Sequence, residues 1–205
     1  MIPCPHLPAT LRARQRGVAA VEFALILPML LMLLFCMIDA ARALQAKIIM
    51  VNIGREGANL VARGNMPLET DSQDIIYALM ASAPPLDVNK RGMVYITRVM
   101  GVVKSGVASS VVLDQYRWDD KARGLGYNFS QYAPASKVYT CNAWSTAACT
   151  GISSTSRPGT TIMNGQLDDG EVVYVVETFY NFDMLLTGQF NVPTFGPDLY
   201  SMTIF

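Results

Sequence analysis

The sequence comprises 205 residues, of which 51% are hydrophobic and 16% are charged, and its 16 basic and 16 acidic residues balance to a formal net charge of zero. A chain of this length has room for one membrane helix and one domain of modest size, because about 140 residues remain beyond such a helix and its stalk to bury a core. Loss of residues 1–17, which hold three arginines and no acid, leaves a net charge of −3, so no basic cluster remains that could bind nucleic acid.

An apolar segment near the N-terminus has the length of a membrane-spanning helix. Residues 18–38 contain one charge, Glu22, and 21 helical residues rise ~31 Å, which matches the ~30 Å hydrocarbon core of a bilayer. Three basic residues come directly before it: Arg12, Arg14 and Arg16. Positive charge on that side keeps the N-terminus in the cytoplasm. The sequence therefore predicts a cytoplasmic leader over 1–17, made irregular by three prolines, then a transmembrane helix over 18–38 and an exported remainder.

The helix is expected to continue beyond the membrane as an exported stalk over 39–64. Apolar residues recur there at helical spacing while charged residues lie off the stripe that they form. This predicted stripe consists of Ala40, Ala41, Leu44, Ile48 and Val51. Glycines at 54, 57 and 64 weaken the helix and end it near Arg63, and Pro28 is predicted to kink it inside the membrane.

Glu22 is the anomaly of the apolar segment. A carboxylate at the centre of a spanning helix costs about 2.5–3.5 kcal/mol on insertion scales, and less near the interface where Glu22 lies, so the side chain suggests a specific partner. One such partner is an amine: a cut after Gly17 would give Val18 a free α-ammonium and make Glu22 the fifth residue of the product. The alternative is an interfacial acid that extends to the headgroups without a partner.

The residues around this position resemble a prepilin peptidase site, with Gly17 followed by four small or apolar residues and then by Glu22 and Phe23. The wider pattern is similar to the TadE-like (TadE/TadF/TadG) pseudopilins of tight-adherence (Flp-type) pilus systems. It covers about residues 14–64 and also includes Pro28, residues 39–42 and residues 55–58. Phe23 and Pro28 separate the pattern from general-secretion pseudopilins. At two positions where the pattern has glycine, this chain has Cys36 and Ala41.

The resemblance implies a minor pilin or pseudopilin of a bacterial pilus. In such a protein a prepilin peptidase recognises Arg16 and Phe23 and cuts between Gly17 and Val18, and Glu22 then neutralises the Val18 ammonium of an adjacent subunit. The implied location is the inner membrane, crossed once with the N-terminus cytoplasmic and the C-terminal domain periplasmic, or a surface pilus after assembly. The implied partners are other pilins, the pilus assembly platform and membrane lipid. The implied roles are pilus assembly, cell adhesion and biofilm formation, without enzymatic activity or a cofactor.

Residues 65–205 are predicted to form one exported α+β domain. Thr70 can cap a short helix, with Gln73 reaching back to it, and two prolines at 84 and 85 end that helix. Beyond these prolines, apolar residues recur at every second position, as they do in β-strands. This predicts a β-hairpin of strands 93–103 and 107–118 around the turn 104–106.

The rest of the domain is predicted to contain a long loop and two more strands. About 50 residues after position 118 are rich in Gly, Pro, Ser and Thr, and so long a segment without regular structure is usually functional, covalently tied or partly disordered. Strands are predicted over 171–181 and 199–205. Three or four antiparallel strands covered on one face by the long helix make an α+β, pilin-like roll.

Two of the four cysteines lie in the polar segment that would be exported. Cys141 and Cys149 would reach an oxidising compartment, where disulfides persist, whereas Cys4 lies in the leader and Cys36 in the apolar run. We therefore expect a Cys141–Cys149 disulfide, and the alternative is two free thiols in a loop. A metal site is disfavoured, because the one histidine, His6, lies in the leader.

Two other groups of residues are weighed as sites. Acidic residues at 119–120 and 168–171 could supply oxygen ligands for Ca²⁺ if the two turns met, but neither has the alternating spacing of a calcium loop. Four aromatic residues could form a binding surface, although aromatic residues of an exported β-domain more often belong to its core. They are Trp118, Tyr127, Phe129 and Tyr132.

Two rival classes of protein remain open. A secreted binding protein would have an ordinary signal peptide cut after Ala43 or Ala46, where small residues have the right spacing, but Glu22 inside the apolar run argues against it. The second rival class is a membrane-anchored periplasmic domain with a binding or enzymatic function. The absence of any histidine after His6 removes the Ser/His/Asp and Cys/His arrangements from its exported part.

Overall fold

The computed structural model of the chain describes residues 10–63, 83–118, 132–145, 147–185 and 198–205. A long N-terminal helix, α1 (Thr10–Arg63), leads into an antiparallel β-sheet, which confirms the predicted α+β class. The short helix predicted around Thr70 and Gln73 and the acid pair at 119–120 lie outside the described residues.

Helix α1 has 54 residues and is ~80 Å long. It runs through Pro28 and ends at Arg63, as predicted. It begins at Thr10, however, so the irregular structure expected for the leader is wrong for residues 10–17. Pro8 is the last proline before the helix, and the leucine, alanine and arginines that follow it are good helix formers. Among the described residues this is the one helix long and apolar enough to cross a membrane.

Within the described residues the sheet has seven strands, and a single turn of helix, α2 (Val88–Arg91), precedes it. In chain order the strands are β1 (Gly92–Lys104), β2 (Val107–Arg117), β3 (Trp144–Ser145), β4 (Ala148–Cys149), β5 (Gly159–Thr160), β6 (Val172–Asn181) and β7 (Asp198–Ile204). Their spatial order is β3-β4-β2-β1-β6-β7, with β5 also paired to β2, and every pairing is antiparallel.

The hairpin β1–β2 and the strands β6 and β7 confirm the sequence prediction. Ser105 and Gly106 turn the hairpin with φ values of 53° and 79°, the two positive values that a tight two-residue turn requires. The segment predicted as loop is only partly irregular, because β3, β4 and β5 lie within it. Each has two residues, too few for any periodicity to register.

The sheet is covered on both faces. Tyr180 of β6 packs on one face against Ala46 and Met50 of α1. On the other face, Val173 and Val175 pack with Val138 and Leu167 of the segment between β2 and β6. Strand β1 is consequently buried on both sides along most of its length.

The stalk presents a different face to the sheet from the predicted stripe. Ala46, Met50 and Ile53 are buried, whereas Leu44 and Ile48 are 67% and 62% exposed. A Cβ atom at Gly54 would come within 2.8 Å of the Thr203 hydroxyl on β7. The buried face of the stalk thus combines Met50 and Ile53 with the small residues Ala46 and Gly54, and it turns Leu44 and Ile48 away from the sheet.

Candidate functional site

The N-terminal part of α1 is an apolar surface that the fold does not cover. Large side chains from Val18 to Ile38 are exposed, and many lie above half of their full accessibility. In the part of the chain that the structure describes, the contacts between α1 and the sheet domain begin at Asp39, and the residues before it stay exposed. An uncovered helix of this length and composition fits the hydrocarbon core of a membrane or a bundle of similar helices.

Glu22 lies on this exposed surface, one helical turn after Val18. Its carboxylate contacts no cation among the residues whose side chains the structure describes. The Gly17–Val18 bond belongs to α1, as do the backbones of Arg16 and Phe23. The structure thus places the five residues of the predicted processing site on one continuous helix, and cleavage and peptidase recognition there stay predictions.

Asp39 joins the membrane end of the helix to the sheet domain. Its side chain is buried, and its Oδ1 accepts hydrogen bonds from Arg42 Nη1 at 3.3 Å and from the Leu185 amide at 3.0 Å. The Arg42 guanidinium also lies 5.5 Å from the centre of the Phe182 ring. Asp39 and Arg42 are three residues apart on one helix, a spacing at which side chains meet, but the link to the backbone after β6 has no local signal in the sequence.

Glu177 is the centre of a buried polar network that the sequence analysis missed. It is fully buried on β6 and accepts hydrogen bonds from the Lys137 amide at 2.9 Å, from the Tyr200 hydroxyl at 3.0 Å and from Ser136 Oγ. Gln115 extends the network, since its Nε2 donates to Ser136 Oγ at 2.9 Å. An acid at an inward position of an alternating strand was the one available signal.

A disulfide fastens the segment that covers this network. Cys141 and Cys149 are bonded, with 5.9 Å between their Cα atoms, and the bond closes the hairpin of β3 and β4. Trp144 of this hairpin lies 4.7 Å from the guanidinium of Arg117 and 5.9 Å from the ring of Tyr95. Oxidation of the two cysteines in the cell stays a prediction.

The remaining predicted site residues have structural contacts. In the turn at 168–171, Asp169 accepts from the Val103 amide at 2.9 Å and Glu171 from the Asp168 amide at 2.9 Å. The described residues contain no group of three or more side chains placed to hold a metal. Trp118 is buried in the main core cluster and Tyr132 packs at its edge, which supports the core interpretation, while residues 127 and 129 lie outside the described residues.

Comparison with known proteins identifies a similarity to a protein family. A family model described as TadE-like protein matches residues 17–59, which confirms the resemblance for the exposed segment and the stalk. The matched residues make the chain similar to pilus-associated TadE-like proteins, and they contain the apolar helix that, among the described residues, is long enough to cross a membrane. No curated protein and no solved structure matches the chain.

Proposed function

We propose that the chain is a minor pilin or pseudopilin of a tight-adherence pilus, processed after Gly17 and packed through α1 into the pilus or its initiating complex. The observation that carries the proposal is the TadE-like match over residues 17–59, which contains Gly17, Val18 and Glu22 at the start of an uncovered apolar helix. Its partners are a prepilin peptidase, other pilins and the assembly platform. Adhesion and biofilm formation follow from the pilus to which it contributes.

The exposed face of the stalk supports packing between subunits. Leu44 and Ile48 extend the apolar surface of the span by nearly three turns, ~15 Å, beyond Ile38, on the side of α1 that faces away from the sheet. A lone membrane anchor has no need for apolar side chains at this height, whereas neighbouring helices of an assembly can bury them. The proposed domains are a leader over 1–17, a transmembrane helix over 18–38, a stalk over 39–64 and an exported domain over 65–205.

The processing step is tested by the N-terminus of the mature protein. Mass spectrometry of the chain purified from membranes should find Val18 as the first residue. A start at Leu44 or Lys47 would identify an ordinary signal peptide and reject the pilin proposal. An intact Met1 would reduce the chain to a plain membrane anchor.

The assembly role is tested by Glu22→Ala. The carboxylate is needed where it neutralises the Val18 ammonium of a neighbour in an apolar setting, since an unpaired charge there costs several kcal/mol, whereas the monomer merely tolerates it near the interface. The variant should insert, fold and be processed normally but enter pili at a strongly reduced level, measured by immunoblot of sheared pili.

The control is Asp168→Ala, which removes an exposed acid from the sheet domain, outside the residues matched by the family model. It should leave incorporation unchanged. Normal piliation of the Glu22→Ala strain, at normal protein level and with normal leader cleavage, would overturn the proposed role of Glu22. Cleavage is followed in the same strains, because a processing defect alone would also abolish assembly.

A further inference from the structure

A cleft of about 330 Å³ lies where α1 leaves its apolar segment and meets the sheet domain. One wall comes from the stalk, a second from the residues around α2 and a third from the end of β6 and the residues after it. The polar groups that line the cleft are Arg42, Gln45, Asp87, Arg91, Tyr180 and Asp183.

The cleft begins at the height of the lipid headgroups. Arg42 lies four residues beyond Ile38, the last residue of the predicted span, and Ala46 eight, so they are about 6 Å and 12 Å further along the helix axis. The polar layer on each side of a ~30 Å hydrocarbon core is about 5–7 Å thick. Leu185, whose amide binds Asp39, places an exposed apolar side chain at the same level.

The cleft contains charged side chains of both signs, and they are partly exposed. Arg91 Nη2 lies 2.7 Å from Asp183 Oδ2, and the side chains of Arg91 and Asp183 are 35% and 46% exposed. Arg42, on the wall formed by the stalk, is paired with the buried Asp39 at 3.3 Å, and its side chain is still 44% exposed. Asp87 adds a further carboxylate. Two cations beside two carboxylates complement a ligand that is itself a zwitterion.

We propose that this cleft binds the headgroup of a phospholipid that carries both a phosphate and a primary ammonium, as phosphatidylethanolamine does. The guanidinium groups of Arg42 and Arg91 contact the phosphate oxygens, for which planar guanidinium donors are well suited, and the carboxylates of Asp87 and Asp183 accept hydrogen bonds from the ammonium. The volume is at the lower end of small-molecule sites and admits the headgroup, while the acyl chains stay in the bilayer beside α1.

Other common headgroups match this set of charges less well. Phosphatidylcholine has the same phosphate, but its quaternary ammonium has no N–H to donate to a carboxylate. Phosphatidylglycerol has no cation, so it would leave two carboxylates of the cleft beside an anion. The inference rests on the membrane-anchoring part of the proposed function and adds to it a lipid partner for the exported side.

The test measures which lipid the full-length protein retains. The chain is reconstituted in vesicles with equal amounts of phosphatidylethanolamine, phosphatidylcholine and phosphatidylglycerol, extracted in mild detergent, and examined by native mass spectrometry for bound lipid. Phosphatidylethanolamine should be retained about tenfold over each of the others, equivalent to ~1.4 kcal/mol. Asp183→Asn and Asp87→Asn should each reduce this ratio towards one, and Arg91→Gln should lower retention of every lipid.

The matched control is Asp169→Asn, an acid at the turn before β6, far from the cleft in the fold. It should keep the wild-type ratio. Equal retention of the three lipids, a preference for phosphatidylglycerol, or a preference that both carboxamide variants leave unchanged overturns the proposal, and either variant decides if the other fails to fold. Flotation with vesicles of phosphatidylcholine alone tests anchoring separately: a chain that fails to float contradicts the proposed function itself, whereas one that floats without headgroup preference contradicts only the cleft.

Discussion

Tyr95 couples the sheet to the segment that covers it. Its hydroxyl donates to the Pro134 carbonyl at 2.6 Å, and its ring lies 5.9 Å from that of Trp144 and 5.9 Å from that of Phe179. Burial raises the pKa of Tyr95 to about 12, against the opposing charge of Arg117 and with a small addition from Glu177. The unfolded chain has a tyrosine pKa of about 10. The unfolded chain therefore loses the Tyr95 hydroxyl proton at lower pH than the folded chain does. The free energy of unfolding consequently falls as pH rises from about 10 to 12.

Tyr95→Phe tests this linkage. At pH 8 the variant should be less stable by about 1 kcal/mol, because it lacks the hydrogen bond to Pro134. Between pH 10 and 12 its stability should fall less steeply than that of the parent, though not level off, since burial also raises the pKa values of Tyr132 and Tyr200. Denaturant unfolding of both proteins in detergent measures the two slopes. Parallel slopes would contradict the assignment of the pH effect to Tyr95.

Glu177 shows what the sequence can indicate for a single residue and what it cannot. The alternation of β6 predicts that this side chain points inward, and the structure places it at zero exposure. Its partners Ser136 and Lys137 lie about 40 positions earlier in a segment without periodicity. No local pattern encodes such a contact, because it exists only after the covering segment has folded over the sheet.

Gly101 is the point where β1 comes closest to the turn before β6. Its amide donates to the Glu171 carbonyl at 2.8 Å, and its own carbonyl accepts from the Gly170 amide at 2.9 Å. A Cβ atom at Gly101 would come within 2.2 Å of the Asp168 carbonyl oxygen, which is backbone and cannot rotate away. Glycine inside this strand is therefore explained by a close approach of another chain segment.

Gly101→Ala should accordingly destabilise the domain by about 1–3 kcal/mol, the usual effect of overpacking a filled site. Gly159→Ala is the matched control, because a Cβ atom there meets nothing closer than 3.9 Å and β5 is exposed at this residue. The control should change the free energy of unfolding by less than about 0.5 kcal/mol. If Gly101→Ala lowers the free energy of unfolding in urea as little as Gly159→Ala does, the close approach at Gly101 is relieved without cost.

At the scale of whole elements, the long ones could be predicted from the sequence and the two-residue strands could not. Helix α1 and the four long strands were found because their apolar periods persist over at least seven residues. Strands β3, β4 and β5 were missed, since their two-residue pairings depend on the position of β2 and on the Cys141–Cys149 bond. The predicted stripe of the stalk is wrong, because Leu44 and Ile48 on one side of the helix are as apolar as Met50 and Ile53 on the other, and only the position of β6 and β7 decides which side is covered.

At the scale of the molecule, α1 belongs to two environments. Its first part is uncovered and apolar, and its second part packs on β6 and β7 as the spine of the sheet domain. Asp39 lies at the boundary and holds Leu185, 146 positions away along the chain, through the hydrogen bond to its amide. Orientation of the sheet domain relative to the span therefore depends on this contact, together with the apolar packing of Ala46 and Met50 above it.

Asp39→Ala should free the backbone around Leu185 from the helix without unfolding the sheet. The Leu185 amide loses its acceptor and Arg42 loses its ion pair, but the packing of Met50 and Ile53 against the domain remains. Hydrogen exchange of the peptide around residues 182–185 should become at least about tenfold faster, equivalent to ~1.4 kcal/mol of local stability, while exchange in β1 is unchanged. Asp39→Asn keeps an acceptor oxygen for Leu185 and should give an intermediate rate.

Asp169→Ala provides the comparison at the other end of the sheet, where the carboxylate accepts from the Val103 amide at 2.9 Å. It should accelerate exchange near Val103 and leave the 182–185 peptide unaffected. If Asp39→Ala accelerates exchange throughout β1 and β6, Asp39 stabilises the whole fold and does not act only as a local contact between helix and domain. If exchange at 182–185 keeps its parental rate, the apolar contacts of the stalk alone fix the domain on its helix.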